Sequence, residues 1–193
     1  MARKIYAAAL AAITLVSAGA AHAAPVEDEF ARICLSSKTA SEAAVKARAE
    51  GYLTMPPPLR AAILKALKSF PDDAEMLWRA GEGEMSVFMG VSITRERSRH
   101  ALTGDGCVIA SAPPQPSLQA KMERMLNVGH AQPFGNDSAY IFEVTDNGPV
   151  RLDGSEKALM GVKALRGSVR VATAIARQGM SGLMLMIPSV ATR

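Results

Sequence analysis

The sequence has few of the residues that most often carry metal-binding or catalytic chemistry. It contains two cysteines and three histidines, and one histidine, His22, falls within the first 23 residues. A zinc site needs three or four ligands at workable spacing, and the sequence has neither an H-E-x-x-H motif nor a Cys/His cluster. We therefore predict no metal site and no cofactor.

Aromatic residues and excess positive charge are also scarce. Aromatic residues make up 5% of the chain, and Trp78 is its only tryptophan. The formal net charge is +4, and removal of Arg3 and Lys4 with an N-terminal leader would lower it by two. Nucleic-acid-binding domains concentrate Lys and Arg on one face and often interleave them with aromatic residues. We therefore expect no nucleic-acid partner.

The glycine-rich segments do not match phosphate-binding or nucleophile motifs. Residues 81–83 and 104–106 read Gly-x-Gly, without the third glycine or the Lys-Ser/Thr end of a phosphate-binding loop. The segment around Ser181 lacks the last glycine of G-x-S-x-G, because position 183 is leucine, and the sequence after it does not read as a helix. These segments predict no catalytic residue.

Residues 1–23 have the three-part pattern of a secretory signal peptide. A positive start precedes an uncharged apolar run at residues 5–16, and Ala21 and Ala23 place small residues at the cleavage-recognition positions. The run is too weakly apolar for a membrane span, which takes about 20 strongly apolar residues. We expect cleavage after Ala23, which leaves residues 24–193 as one periplasmic or secreted domain without a membrane anchor.

The two cysteines, Cys34 and Cys107, predict a disulfide. Exported proteins mature in oxidising compartments, where paired cysteines are usually structural. Neither cysteine belongs to a C-x-x-C motif, so thiol–disulfide exchange has no support. A bridge across 73 residues would stabilise the fold by about 4 kcal/mol in a chain-entropy model.

The mature chain begins with helical periodicity and continues mainly with strand periodicity. Apolar residues recur at helical spacing in four segments: residues 26–34, 39–50, 59–70 and 118–126. Alternating or short apolar runs indicate strands: residues 76–79, 85–97, 107–111, 140–144, 150–152, 169–176 and 183–187. Turn clusters, including residues 103–106, indicate hairpin links. We predict an α+β fold with N-terminal helices packed on one face of a mainly antiparallel sheet of about five to seven strands.

Three arginines alternate at the end of the longest predicted strand. Arg95, Arg97 and Arg99 would share one face of an extended chain, and guanidinium groups match phosphate and carboxylate geometry. This spacing predicts an anion-binding strip. The same alternation continues the apolar face of the strand, so the chain must twist or bulge near Thr94 for the arginines to leave the core. Because Glu96 partly neutralises the strip, the pattern favours a solvent-exposed hairpin end.

Ten methionines remain after removal of the leader, several of them near the C-terminus. Thioethers bind copper(I), and methionine side chains also fill irregular cores. The methionines fall on predicted core-facing positions of helices and strands, so packing is the favoured interpretation.

Two hypotheses for function, from different classes, remain. The first is a non-catalytic binding or accessory module of the cell envelope, which holds an envelope protein or a small ligand at its sheet face or at an exposed strand edge. The second is a small periplasmic hydrolase that uses polar turn residues: His100, Asp105, His130 and Asp137. A hydrolase of this kind requires a histidine and a carboxylate together in a concave pocket.

Overall fold

The computed structural model describes residues 25–67, 71, 73–81, 83–97, 100–134, 137–152, 167–177 and 179–191. The predicted signal peptide, residues 1–23, lies outside these ranges, as does Arg99 of the arginine strip. No helix within the described ranges is long and apolar enough to cross a membrane.

The N-terminal helix packs its apolar stripe against the sheet. Helix α1 spans Val26–Phe30 and continues into a π-helical turn, Ala31–Leu35. Three acidic residues occupy the first turn of α1, where the helix dipole favours negative charge. Val26, Phe30 and Ile33 are fully buried, as their helical spacing predicted.

The second helix, α2 (Ala40–Ala49), lies close to the sheet because its inner face is built from alanine. Thr39 caps this helix, since its Oγ1 accepts the Glu42 N–H at 3.1 Å. A Cβ at Gly90, on the strand beneath, would lie 3.1 Å from Phe88 Cζ and 3.4 Å from the carbonyl oxygen of Ala40. The missing side chain at Gly90 therefore leaves room mainly for the Phe88 ring, which packs below the helix.

Two more helices match predicted segments. Helix α3 spans Pro57–Leu67 and begins within the three-proline break. Its Ile63 is buried. Helix α4 spans Leu118–Leu126, with Leu118, Met122 and Leu126 buried against the sheet.

In the part of the chain that the structure describes, nine strands form one antiparallel sheet. In chain order they are β1 (Leu53–Thr54), β2 (Glu75–Ala80), β3 (Met85–Arg97), β4 (His100–Ala112), β5 (Gln132–Phe134), β6 (Asp137–Thr145), β7 (Gly148–Arg151), β8 (Val169–Arg177) and β9 (Met180–Ala191). Eight follow the order β1-β2-β3-β4-β9-β8-β6-β5, and β7 pairs with β6 beside this path.

The α+β class is confirmed, but the predicted count of five to seven strands is too low. The strands β1 and β5 contain only two and three residues. Runs this short are below the length at which alternation of apolar and polar residues can be recognised. The sheet is therefore larger than its sequence pattern indicates.

The longest hairpin also differs from its prediction. Residues 103–106, predicted as a turn, lie inside β4 opposite residues 91–94 of β3. The pairing is continuous from Met85 opposite Ala112 to Arg97 opposite His100, so of the two predicted alternatives, a twist or a bulge near Thr94, the bulge is absent. A Cβ at Gly106 would lie 2.7 Å from Val91 Cγ1, which explains a glycine here without a turn.

Apolar residues cover both faces of the sheet. The helix face packs against α1, α2 and α4, with inward side chains that include Leu77, Phe88, Ile109, Tyr140, Phe142, Leu183 and Leu185. The opposite face packs against α3 and includes Met76, Val87, Met89, Val108 and Ala110. The prediction that the N-terminal helices pack on one face is therefore wrong for α3. A smaller apolar cluster on that face joins β6 and β8.

The predicted disulfide is present. Cys34, in the π-helical turn, and Cys107, in β4, are bonded, with their Cα atoms 5.6 Å apart. The two residues are 0% and 3% exposed. The bond ties the first helix to a central strand, and it fits a protein that matures in an oxidising compartment.

We expect loss of this bond to lower the free energy of unfolding by about 2–5 kcal/mol, because the unfolded chain gains the freedom of a 73-residue loop. Urea unfolding of the Cys34→Ala/Cys107→Ala variant measures this loss. Reduction of the wild-type protein should lower its free energy of unfolding by the same amount. The same reducing treatment should not change the free energy of unfolding of the variant. Labelling of both thiols in unreduced wild-type protein would contradict the bond.

Candidate functional site

The sheet extends beyond its helix-covered body as a three-stranded ribbon. On one side of the ribbon, the pairing of β2 with β3 stops at the row of Glu75 and Gly90. On the other side, the pairing of β8 with β9 stops at the row of Val171 and Met186. Past these points the described chain continues as residues 91–97, 100–106 and 187–191. We call these three segments the ribbon. At about 3.3 Å per residue, the ribbon projects by about 20 Å.

One edge of the ribbon is open within the described residues. Residues 91–97 of β3 pair with β4 on one side. On their other side, the neighbouring strand β2 has already ended. An edge of this kind presents unpaired backbone N–H and C=O groups to any chain that approaches it.

Two of the three residues of the predicted arginine strip, Arg95 and Arg97, lie on this edge. Arg95 is paired with Leu102, and Arg97, the last residue of β3, is paired with His100. Alternation along β3 puts positions 95 and 97 on the same sheet face as Val87 and Met89. Both positions lie beyond Gly90, the last residue of β3 that pairs with β2.

The helix-face side of the ribbon carries a polar pair near its base. The Ser92 hydroxyl donates to Asp105 Oδ1 at 2.6 Å, across the β3–β4 pair. Ser92 is exposed and Asp105 is half-buried. Asp105, one of the predicted hydrolase residues, is therefore engaged in cross-strand pairing.

A second group of polar residues is buried between α1 and the body of the sheet. Glu29, on α1, is fully buried. Its Oε2 accepts the Tyr52 hydroxyl at 2.6 Å, and its Oε1 forms an ion pair with Arg79 Nη2 on β2. The Arg79 guanidinium also lies over the Tyr52 ring, 4.9 Å from its centroid. Glu29, Tyr52 and Arg79 form what we call the buried ionic cluster.

The buried ionic cluster is connected to a surface ion pair. Arg79 Nη1 donates to the Glu50 carbonyl oxygen at 3.0 Å. The Glu50 carboxylate accepts two hydrogen bonds from Arg32, from Nε at 2.8 Å and from Nη2 at 3.0 Å. The hydrogen bond from Arg32 lowers the pKa of Glu50 below its ordinary value.

Burial shifts the pKa values of two members of the cluster. Desolvation raises the pKa of Tyr52 above its ordinary value and lowers the pKa of Arg79. Tyr52 is 2% exposed, so its hydroxyl is not available to a substrate. The arrangement gives the buried Glu29 carboxylate one hydrogen bond and a counter-charge and joins α1 to β2, which is a structural role.

Sequence reasoning missed this cluster, although one signal was present. Leu77 and Arg79 are two residues apart in β2, so alternation places both on the same face. Leu77 is fully buried. A charged residue in register with a core leucine indicates a buried partner of opposite charge, and Glu29 in the first turn of α1 is that partner.

The hydrolase residues are not brought together in the described part of the chain. His130 lies beside Glu123 of α4, with Nδ1 2.5 Å from Oε1, and its side chain is 91% exposed. His100 is the first residue of β4 and Asp137 the first residue of β6. The histidine–carboxylate contact therefore exists, but on an open surface rather than in a concave pocket.

Ser181 is held by the backbone of a neighbouring loop. Its Oγ accepts the Gln115 N–H at 2.7 Å and donates to the Gln115 carbonyl oxygen at 3.2 Å. Ser181 lies inside β9, opposite Ser111 of β4. A nucleophile elbow requires a strand, a turn and then a helix, and β9 continues as a strand to Ala191.

Many of the methionines form one apolar cluster under α3. Met76 lies directly opposite Met89 in the β2–β3 pair. The buried members are Met55, Met76 and Met89, and the partly buried members are Met85, Met180 and Met184. No group of three or more His, Cys, Asp or Glu residues in the described ranges could hold a metal ion.

Comparison of the chain with protein-family models, with curated proteins and with solved structures gave no match.

We expect Glu29→Gln to lower the free energy of unfolding by about 3 kcal/mol, because it leaves the Arg79 charge without its partner in a desolvated place. The double variant Glu29→Leu/Arg79→Met should lose less than the sum of its single changes, by about 1–3 kcal/mol. Urea unfolding of the wild-type protein, of Glu29→Leu, of Arg79→Met and of the double variant measures the coupling. Additive losses would mean that the ion pair contributes nothing specific.

Proposed function

We propose that the protein is a non-catalytic binding module of the cell envelope that holds an extended acidic segment of a partner protein along the open edge of β3. The observation that carries this proposal is the edge itself, residues 91–97, which pairs with β4 on one side and extends beyond β2 on the other. An added strand would gain main-chain hydrogen bonds from this edge.

Charge selects the kind of partner. Arg95 and Arg97 occupy alternate positions of the open edge, and Glu96 between them falls on the opposite sheet face. An extended partner with carboxylates at alternate positions would match the two arginines. The disulfide supports the envelope as the setting, because such bonds persist in oxidising compartments.

Binding of a short peptide of alternating glutamate and valine tests the proposal. We expect it to bind, and a peptide of alternating lysine and valine to bind much more weakly. Hydrogen exchange followed by NMR should show new protection of the outward-facing amides among residues 91–97, because edge pairing engages them. Equal binding of both peptides, or binding without this protection, would contradict the proposal.

Charge variants distinguish a specific contribution of Arg95 and Arg97 to binding from the effect of the protein's net charge. Arg95→Gln/Arg97→Gln should weaken binding of the acidic peptide by about three- to tenfold, since exposed charge pairs each contribute up to about 1 kcal/mol. The matched control is Lys38→Gln/Arg124→Gln, which removes the same charge from exposed positions elsewhere. The control should bind as the wild-type protein does.

A hydrolase remains the alternative function, and the contact between His130 and Glu123 is what supports it. If the protein is a binding module, wild-type protein and the His130→Ala variant should both show no saturable hydrolysis of carboxylate, phosphate or sulfate esters. Saturable turnover that is lost in both His130→Ala and Glu123→Gln would favour the hydrolase.

A further inference from the structure

The turn between β6 and β7 places an asparagine directly before a glycine at an exposed tip. The turn residues are Asp146 and Asn147, and both are exposed. Thr145 is paired with Gly148 in the first row of the hairpin. The order Asp-Asn-Gly is typical of a tight hairpin turn, and neither the binding module nor the hydrolase alternative makes use of it.

The backbone of this turn requires glycine at position 148. Gly148 has a φ of +104°, a conformation that residues with a side chain rarely adopt. A Cβ built at Gly148 would have no heavy atom within 4 Å apart from its chain neighbours. The main chain here therefore faces open space, and no side chain at position 148 shields the backbone nitrogen.

The carboxamide of Asn147 is free to turn, although the main chain around it is held. Thr145 Oγ1 accepts the Asn147 N–H at 3.3 Å and donates to the Gly148 carbonyl oxygen at 2.7 Å. Among the residues that the structure describes, none forms a hydrogen bond with the Asn147 carboxamide. The side chain can therefore rotate its Cγ toward the Gly148 nitrogen.

This contact permits a reaction within the chain, because asparagine is one of the chemically labile residues. The Gly148 nitrogen loses its proton to hydroxide and bonds to Asn147 Cγ. The Cγ–Nδ2 bond breaks, and the departing nitrogen takes a proton from water and leaves as ammonia. Water then opens the cyclic imide. Cleavage of the bond from Cγ to the Gly148 nitrogen gives aspartate, and cleavage of the bond from the backbone carbonyl carbon gives isoaspartate.

The position of Gly148 in the hairpin allows this reaction in the folded protein. Its row with Thr145 is the one nearest the turn. Rows at the end of a ladder open locally at little cost, without unfolding of the domain. Hydroxide and water therefore reach the Gly148 nitrogen in the native state.

The two products differ in what they do to the hairpin. Isoaspartate adds one carbon to the main chain, in a turn whose length sets the register between β6 and β7. That register extends from Thr145 opposite Gly148 to Phe142 opposite Arg151. Aspartate keeps the original main chain and adds only a negative charge beside Asp146. Loss of pairing is therefore expected for isoaspartate alone.

We infer that Asn147 is a site of self-modification, at which deamidation through a cyclic imide yields aspartate and isoaspartate, and that the isoaspartate form weakens the pairing of β7 with β6. The reaction needs no reactant besides water and hydroxide. The inference is independent of the ribbon and of the peptide that the ribbon edge would bind.

Incubation of the full disulfide-bonded protein at neutral and at mildly alkaline pH, followed by peptide mass spectrometry, tests the site. Trypsin releases residues 125–151 as one peptide, whose fragment ions distinguish Asn147 from Asn127. Asn127 is the internal control, because it is exposed but precedes the buried Val128. We expect Asn147 to deamidate about tenfold or more faster, since a stiff β-branched side chain shields the nitrogen of Val128. The rate at Asn147 should rise with hydroxide concentration.

Two variants separate the reaction from its effect on the hairpin. Asn147→Gln keeps a neutral carboxamide but must close a larger ring, so this position should release no ammonia on the same timescale. Asn147→Asp has the composition of the deamidated protein with the original main chain. Hydrogen exchange of the β7 amides should be severalfold faster in the purified isoaspartate form than in Asn147→Asp.

The site is overturned if Asn147 in the native protein deamidates no faster than Asn127, or if the reaction occurs only in urea-unfolded protein. The effect on β7 is overturned if the isoaspartate form and Asn147→Asp exchange their β7 amides at the same rates.

Discussion

The pairing of β4 on both of its sides is the constraint on which the rest of the structure depends. Its register with β3 and with β9 is continuous, and it extends from the helix-covered body into the ribbon. Within the body, side chains of these strands form cores on both faces of the sheet. Beyond the body, β3, β4 and β9 continue as the ribbon after their pairing with β2 and β8 has stopped. The fold and the candidate binding edge are therefore two regions of one hydrogen-bonded ladder.

Local signals in the sequence predicted much of this arrangement, because they rest on interactions between near neighbours. The stripe of Val26, Phe30 and Ile33 and the cap at Thr39 follow from helical geometry, and both are present. The disulfide could be predicted from two cysteines and a leader pattern. The prediction of a turn at residues 103–106 was wrong because glycine occurs both in tight turns and where strands crowd each other. Here Gly106 avoids a clash with Val91 across the strand pair.

The sites were harder to predict because they depend on contacts between distant segments. Arg79 occurs in a strand with ordinary apolar alternation, at a position that faces the core. The sequence shows that such a residue faces inward, but not which partner meets it. The open edge at Arg95 and Arg97 likewise depends on where the pairing with β2 stops. The alternation of the arginines was visible in the sequence, and the end of that pairing was not.

The disulfide lies where the body of the sheet gives way to the ribbon. Cys107 is paired with Gly90 on one side and with Leu185 on the other, in the last row that β2 still reaches. A pulling force applied to the ribbon by a bound partner would therefore pass through the Cys34–Cys107 bond into the π-helical turn that follows α1. Without this bond, the same force would separate β4 from its neighbours one hydrogen bond at a time. The molecule is reinforced mechanically at the row where a load on its projecting end would first reach the core.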